Sequence, residues 1–365
     1  MPVPSKRKGS RPATLADVGR EAGVSAMAVS AVLNGARTSS RTAPETRRRI
    51  LEAAEKLRYR PNAAARALAE RRMNTIGVAA VFERSQLNQY FLEVFNGILE
   101  TAAQHDQTTT VFTLHDWEKD SARLDKFCDG RIDGLVLIAP RLTKESVAAL
   151  PTHTPSVGVH ANLAVPRWVN LESDEERGAY DMVKYMIELG HRRIMHLTGP
   201  RGLLGVERRV TGFKRAMSEA GLRRENTIIV EAGFTTPEGY RALRDWMKAS
   251  SGQKMPQAIF CANDGVATGC MEVLAEVGIR VPSDISLAGF DDTLAARSTV
   301  PQLTTVRQPL HEMGNRAVEV LLERIEASRE GKIDRAAQNI VFSTELVLRG
   351  TVAPPPSQEI VVPQI

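Results

Sequence analysis

Apolar positions recur at helical spacing from Thr14 to Leu57 and then give way to short apolar runs separated by amphipathic stretches. That change of period divides the chain into an all-helical start and an α/β body. Leu15, Val18 and Ala22 form the stripe of a first short helix, opened by Thr14 with Asp17 three residues on, the pairing of a capping box. Gly23 supplies the left-handed residue that ends it, and Ser25 caps a second helix. There Val29, Val32 and Leu33 point one way and Ala26, Met27, Ser30 and Ala31 the other, until Asn34-Gly35 stops it. Thr42 and Glu45 suit another capping box, with Pro44 in the first turn, and Ile50, Leu51, Ala54 and Leu57 give a third helix an inward face. A helix, a Gly-containing turn and a second helix form the geometry that lays a helix in a DNA major groove. A plain helical hairpin fits the same pattern until its surroundings are counted.

The pattern predicts five segments: a basic disordered arm over 1–13, a helix-turn-helix domain over 14–60, a hinge or linker over 61–73, a two-lobed body over 74–350 and a disordered tail over 351–365. Segment 62–69 is short and Ala-rich with little to bury, so it is marginal as an isolated helix and needs an outside surface to order. In the body, 76–82, 109–114, 134–139, 156–160, 193–199, 227–233, 258–264 and 285–292 read as buried strands, with helix-like stretches at 90–105 and 178–190 between them. Strand–helix alternation of this extent implies parallel sheets with covering helices, housed in two lobes. The Pro354-Pro355-Pro356 tail has no heptads.

Charge settles the reading of the start. The first 72 residues hold sixteen Lys and Arg against six acidic residues, a balance of +10, while the remainder holds 32 against 37, a balance of −5. A basic head on a mildly acidic body points to a polyanion partner for the head. No apolar run approaches the ~20 residues that span a bilayer, and no apolar segment follows the basic start as in a secretory signal. Cys128, Cys261 and Cys270 have neither CxxC spacing nor a histidine pattern, which suggests reduced thiols in a cytoplasmic protein without a metal site. No cofactor is expected. Gly199, Gly202 and Gly205 follow a strand, but their G-x-x-G-x-x-G spacing is wrong for a dinucleotide fingerprint and reads as a mobile loop leading to Arg209.

Seven segments together resemble the lactose/galactose repressor (LacI/GalR) family of bacterial transcription regulators: TLADV, GVSAMAVSAVLNG, YRPNAAARALA, the R-x-x-G-F of Arg209 to Phe213, CANDGVATG, VPSDISLAGFDD and PQLTTVRQP. The resemblance runs from about Thr14 to Gly350. It implies a helix-turn-helix headpiece on a periplasmic-binding-protein-like core of two α/β lobes, acting as a homodimer on a near-palindromic operator. It implies DNA contacts from Thr14, Ser25, Ala26, Met27, Ser30, Asn34, Tyr59, Asn62 and Ala65, and a minor-groove wedge at Leu68. Ala28 and Ala31 depart from the family's Thr and Arg, and alanine cannot make the bidentate contact to guanine. Base reading then falls on Ala26, Met27 and Ser30, with apolar contact to thymine methyls.

Ligands of open α/β sheets bind beyond the carboxyl ends of the strands. That rule nominates Arg84 to Phe91, Pro140-Arg141, His160, the loop at Phe234, Asn263-Asp264 and Asp291-Asp292. The resemblance makes Arg209 the clamp on ligand hydroxyls or carboxylates, Asn263 and Asp291 polar contacts and Phe234 the aromatic on the ligand, with His160 and Phe91 as further candidates. Arg, Asp and Asn suit vicinal hydroxyls while an aromatic covers a sugar's apolar face. A ligand-responsive repressor is the expectation, with a carbohydrate effector first and a purine-type corepressor second. An NAD-dependent or sugar-modifying enzyme is disfavoured, since no nucleophile elbow, phosphate loop or metal cluster is present. An exported solute receptor would not need the basic head.

Overall fold

The computed structural model describes residues 11–33, 42–61, 67, 72–81, 88–148, 150–222, 224–332 and 337–364, and the chain divides after Asn74 into two compact units. The first contains α1 (Leu15–Ala22), α2 (Ala26–Leu33) and α3 (Pro44–Lys56). Val18, Ala22, Val29, Val32, Ile50 and Ala53 close its small core. Two expectations for α3 fail. Its N-cap is Ala43, without a side-chain cap, because Glu45 turns outward to pair with Arg48 at 2.7 Å and Pro44 occupies the first turn. Leu51 is 48 % exposed, and Ala53 is buried in its place. One residue along a helix rotates a side chain by 100°, so the neighbour of Ile50 leaves the core face.

The body contains two six-stranded sheets with the same winding. Strands β1 (Thr75–Val81), β2 (Thr108–Leu114), β3 (Gly134–Ile138), β4 (Ser156–Val159) and β5 (Val169–Ser173) build the first lobe, and β6 (Ile194–Thr198), β7 (Thr227–Glu231), β8 (Ala258–Cys261), β9 (Ser286–Asp291) and β10 (Thr304–Arg307) the second. Late strands β11 (Gln338–Phe342) and β12 (Glu345–Val347) finish one sheet each, giving the orders β11-β5-β4-β3-β1-β2 and β12-β10-β9-β8-β6-β7. Every pairing is parallel except β10 with β12.

Helix α4 (Gln89–Gln104) covers the first lobe, and α5 (Glu175–Glu188), α6 (Leu204–Glu219), α7 (Thr236–Ala249), α8 (Asp264–Glu276) and the short α9 (Leu294–Ser298) cover the second. α10 (Leu310–Arg329) returns to pack on α4, where Gly97 and Gly314 allow backbone contact: a Cβ at Gly97 would sit 2.0 Å from the His311 carbonyl. The chain therefore passes between lobes after Ser173, after Gln308 and between β11 and β12. Each lobe buries apolar side chains on both faces of its sheet, as parallel sheets require.

The tail expected to be disordered is docked over the described residues 351–364. Thr351 is fully buried and ties the Thr304 N–H to the Leu287 carbonyl. The Ala353 carbonyl accepts from His191 Nε2, and Val361 bridges to Lys254. Val362 is 2 % exposed within the core of the second lobe. Ile360 and Val362 face in while Val361 faces out, so an alternating strap follows the prolines. All three cysteines are free and buried. Among the described residues no helix is long and apolar enough to cross a membrane, and no cluster of His, Cys, Asp and Glu is placed to hold a metal.

Candidate functional site

The head presents the second helix of its hairpin to solvent. Thr14 Oγ1 accepts from the Asp17 N–H at 3.3 Å while Asp17 Oδ2 accepts from the Thr14 N–H at 3.0 Å, a complete capping box. These bonds satisfy orphan donors and fix where α1 begins. Gly23 takes φ 67°, and Ser25 Oγ accepts from the Ala28 N–H at 3.2 Å, starting α2. Ala26 and Met27 lie exposed on its first turn, Met27 at 76 %, while Ser30 is half-buried. Tyr59 packs against the head's core. Arg20, Arg47, Arg48, Arg49, Arg58 and Arg60 are exposed on the head. Asn34, Asn62, Ala65 and Leu68 fall outside the described residues.

In the body, polar side chains from both lobes converge where the strands end and the chain crosses over. From the first lobe come Tyr90 at the start of α4 and His160 after β4. The Ser173 N–H donates to His160 Nε2 at 3.2 Å, so the neutral imidazole carries its proton on Nδ1 and donates to Tyr90 Oη at 2.6 Å. Burial holds the His160 pKa below the usual histidine value and keeps the ring neutral. The Ser173 hydroxyl donates to Gln308 Oε1, and Gln308 Nε2 donates to Asp291 Oδ1 at 2.6 Å. One polar chain thus runs from Tyr90 to Asp291 through two of the crossovers.

From the second lobe comes Arg209, on α6 and 8 % exposed. Its guanidinium donates to the Ala262 carbonyl at 2.5 Å and to Glu175 Oε1 at 3.1 Å, and lies 4.1 Å above the Phe290 ring. Arg208 beside it reaches Glu172 on β5 at 3.0 Å and Glu175 at 3.8 Å. Asp291 is buried, which pushes its pKa up to about 6 although Arg209 pulls it down. Asp264, at the first residue of α8, accepts from the Thr293 N–H and from the Thr293 and Thr305 hydroxyls. Burial, reinforced by Asp291, raises its pKa to about 8. Asp292 is held by Arg307 at 2.8 Å and Arg349 at 2.5 Å and acts as a structural anchor. Ala139, His160, Asp291 and Asp292 all take positive φ, between 46° and 106°. Strain of this kind gathers where surrounding structure holds a site in shape.

The convergence brings together Arg209, Asp291 and His160 of the nominated residues. Phe234 sits at the same strand ends, against Gly199, where a Cβ would lie 2.6 Å from its ring. Asn263 is an anchor: its Oδ1 caps α8 by accepting from the Val266 N–H, and its Nδ2 holds the Phe234 carbonyl at 2.9 Å. Phe91 does not face the cleft. It packs in the core of the first lobe, stacked on Phe95 at 5.4 Å, because Tyr90, one residue earlier on α4, takes the inward position. The mobile loop expected at Gly199, Gly202 and Gly205 ends where α6 starts, and Gly205 lies inside that helix against Glu175. Sequence reasoning held Tyr90 only within the nominated stretch Arg84 to Phe91, and it missed Glu172, Ser173, Glu175 and Gln308. For Gln308 a signal existed, since PQLTTVRQP includes it.

A model of bacterial regulatory proteins, lacI family, matches residues 14–62, and one for a periplasmic binding protein-like domain matches residues 183–352. The HTH-type transcriptional repressor PurR of Vibrio vulnificus (strain CMCP6) is 33% identical over 347 residues, 93% of this chain and 98% of the relative. PurR of Haemophilus influenzae (strain PittEE) is 31% identical with the same coverage. Among solved structures, a lac repressor dimer bound to operator and the anti-inducer ONPF superposes with TM-score 0.79 at 25% identity, covering 94% of this chain and 100% of that one. A transcriptional regulator CelR–cellobiose complex does so with TM-score 0.68 at 26% identity, covering 93% and 100%.

Proposed function

The chain belongs to the lacI family of bacterial regulatory proteins and is a DNA-binding transcriptional repressor with an effector-binding domain, and we propose that a carbohydrate held between its two lobes sets its affinity for operator DNA. The observation that carries this reading is the meeting of Tyr90 and His160 from one lobe with Arg209 and Asp291 from the other, beside the chain crossings between the lobes. A carboxylate and a guanidinium can bind vicinal hydroxyls, and the Phe234 ring can cover an apolar sugar face. A ligand touching both lobes favours one lobe orientation, and it shifts the equilibrium only by its differential affinity for the two states.

In this reading the repressor acts in the cytoplasm as a homodimer, with two heads in successive major-groove half-sites of a near-palindromic operator. Met27 and Ala26 meet thymine methyls, Ser30 offers a hydroxyl to a base edge, and Arg side chains supply phosphate contacts and most of the raw affinity. Leu68, in segment 62–69, serves as the minor-groove wedge, at a cost of a few kcal/mol of unstacking that the bent duplex offsets. Lobe orientation alters the spacing of the paired segments and so couples the cleft to the operator.

A purine-type corepressor is the second reading, favoured by two aromatic rings, Tyr90 and Phe234, at the strand ends. A thermal-shift panel of sugars and nucleobases tests both. A true effector at 100 times its Kd adds about 2.7 kcal/mol of stability, and the gain disappears in Arg209→Ala. A panel hit that stabilises Arg209→Ala equally would remove this cleft from the account.

A further inference from the structure

Glu175 occupies the position where an anionic ligand would be expected. The first turn of the sixteen-residue α6, with Arg208 and Arg209 on the next turn, would by itself be a ready anion site. The chain has filled it with its own carboxylate. Glu175 is 3 % exposed and pairs with Arg209 at 3.1 Å and Arg208 at 3.8 Å. Its carboxyl packs so closely on α6 that a Cβ at Gly205 would lie 2.2 Å from Oε1. Glu172, 4 % exposed, engages Arg208 from the other lobe at 3.0 Å and is steadied by the Asn170 amide. Asp291 adds a third buried carboxyl, close enough to Arg209 to feel its charge. Among these five groups the acids outnumber the bases, so a phosphate or carboxylate entering the cleft meets net repulsion and must displace an existing partner of Arg209.

We propose that the effector carries no anionic group: Glu175 and Glu172 act as specificity determinants that supply the arginines' counter-charges from within the chain, so that the cleft takes an uncharged polyhydroxylated molecule and rejects its phosphorylated or carboxylated counterpart. This rests on the effector-binding reading of the cleft. It assigns a function to two acidic residues that otherwise look like structural ion-pair partners.

Inorganic phosphate is the probe, titrated calorimetrically into the full chain saturated with operator-length duplex so that the basic head is already occupied. Wild type and Arg209→Ala are expected to give the same signal, showing no phosphate at the cleft. Glu175→Gln is expected to bind phosphate at least about tenfold more tightly, and Glu175→Gln/Arg209→Ala to lose that gain. Glu172→Gln is the second variant, because its partner Arg208 is 28 % exposed and stays solvated when the pair is broken. It should show a gain of the same sign should Glu175→Gln fail to fold. Wild type binding phosphate through Arg209, or no gain in either Gln variant, would overturn the inference. A wild type that binds phosphate there yet still answers to a sugar sinks only this inference. A chain whose operator affinity answers to no ligand, but which gains phosphate in Glu175→Gln, sinks effector control and leaves the charge pairing standing.

Discussion

Asp264 carries a clear pH signature. It is sealed behind the cleft at the first residue of α8, and burial together with Asp291 raises its pKa from 3.8 to about 8. A folded pKa above the unfolded one means that the folded state holds its proton more tightly. The resulting stabilisation is complete below about pH 4 and is lost as pH climbs through about 8. The melting temperature should therefore fall as pH rises from about 4 to about 8 and level off above that, and Asp264→Asn, which cannot ionise, should flatten that fall. Thermal melts across the range check this, and an unchanged slope in the variant would contradict it. At this scale the sequence exposed the cleft unevenly. Arg209 and Asp291 stand in recognisable motifs, and Asp291 could be placed at a strand end. Tyr90 and Phe91 are adjacent aromatics, and only the helical phase of α4 decides which one faces the cleft. Glu172 and Glu175 carry no signal in the sequence, because their partners, Arg208 and Arg209, lie more than thirty residues away.

Elements that sequence reasoning found were those whose apolar runs are continuous, from β1 to β4 and from β6 to β9. β5 escaped because its buried residues read V-N-L-E-S. Its polar side chains stay buried because each finds a partner: Asn170 accepts from the Ala161 N–H, Glu172 pairs with Arg208, and Ser173 joins His160 and Gln308. β11 and β12 escaped for the opposite reason, since no residue of either is fully buried. The terminal strap shows how two apolar residues can dock a proline-rich segment. Val362→Ala removes roughly two buried methylene equivalents and should lower the stability of the body by about 1.5 kcal/mol, read as a lower melting temperature. A melt identical to wild type would mean that the strap does not hold the second lobe.

For the whole molecule, the shared winding of the two sheets matters more than their separate cores. Both sheets point their carboxyl ends at one cleft, and the crossovers after Ser173 and Gln308 are joined side chain to side chain. On the proposed reading, a ligand there would act on the elements that join the lobes and so link a small-molecule site to the operator. Fold and partner class were legible from period and charge. The cleft's internal charge balance was not, because it depends on pairs that only the folded chain brings together. The most direct test is operator affinity measured by fluorescence anisotropy on a labelled palindromic duplex, with and without the uncharged ligand that most raises the melting temperature, for wild type and Arg209→Ala. The wild-type Kd should change by about 5–150-fold and that of the variant not at all, with both binding the duplex in the absence of ligand. Equal responses in the two proteins, or no response in wild type, would contradict effector control through the cleft.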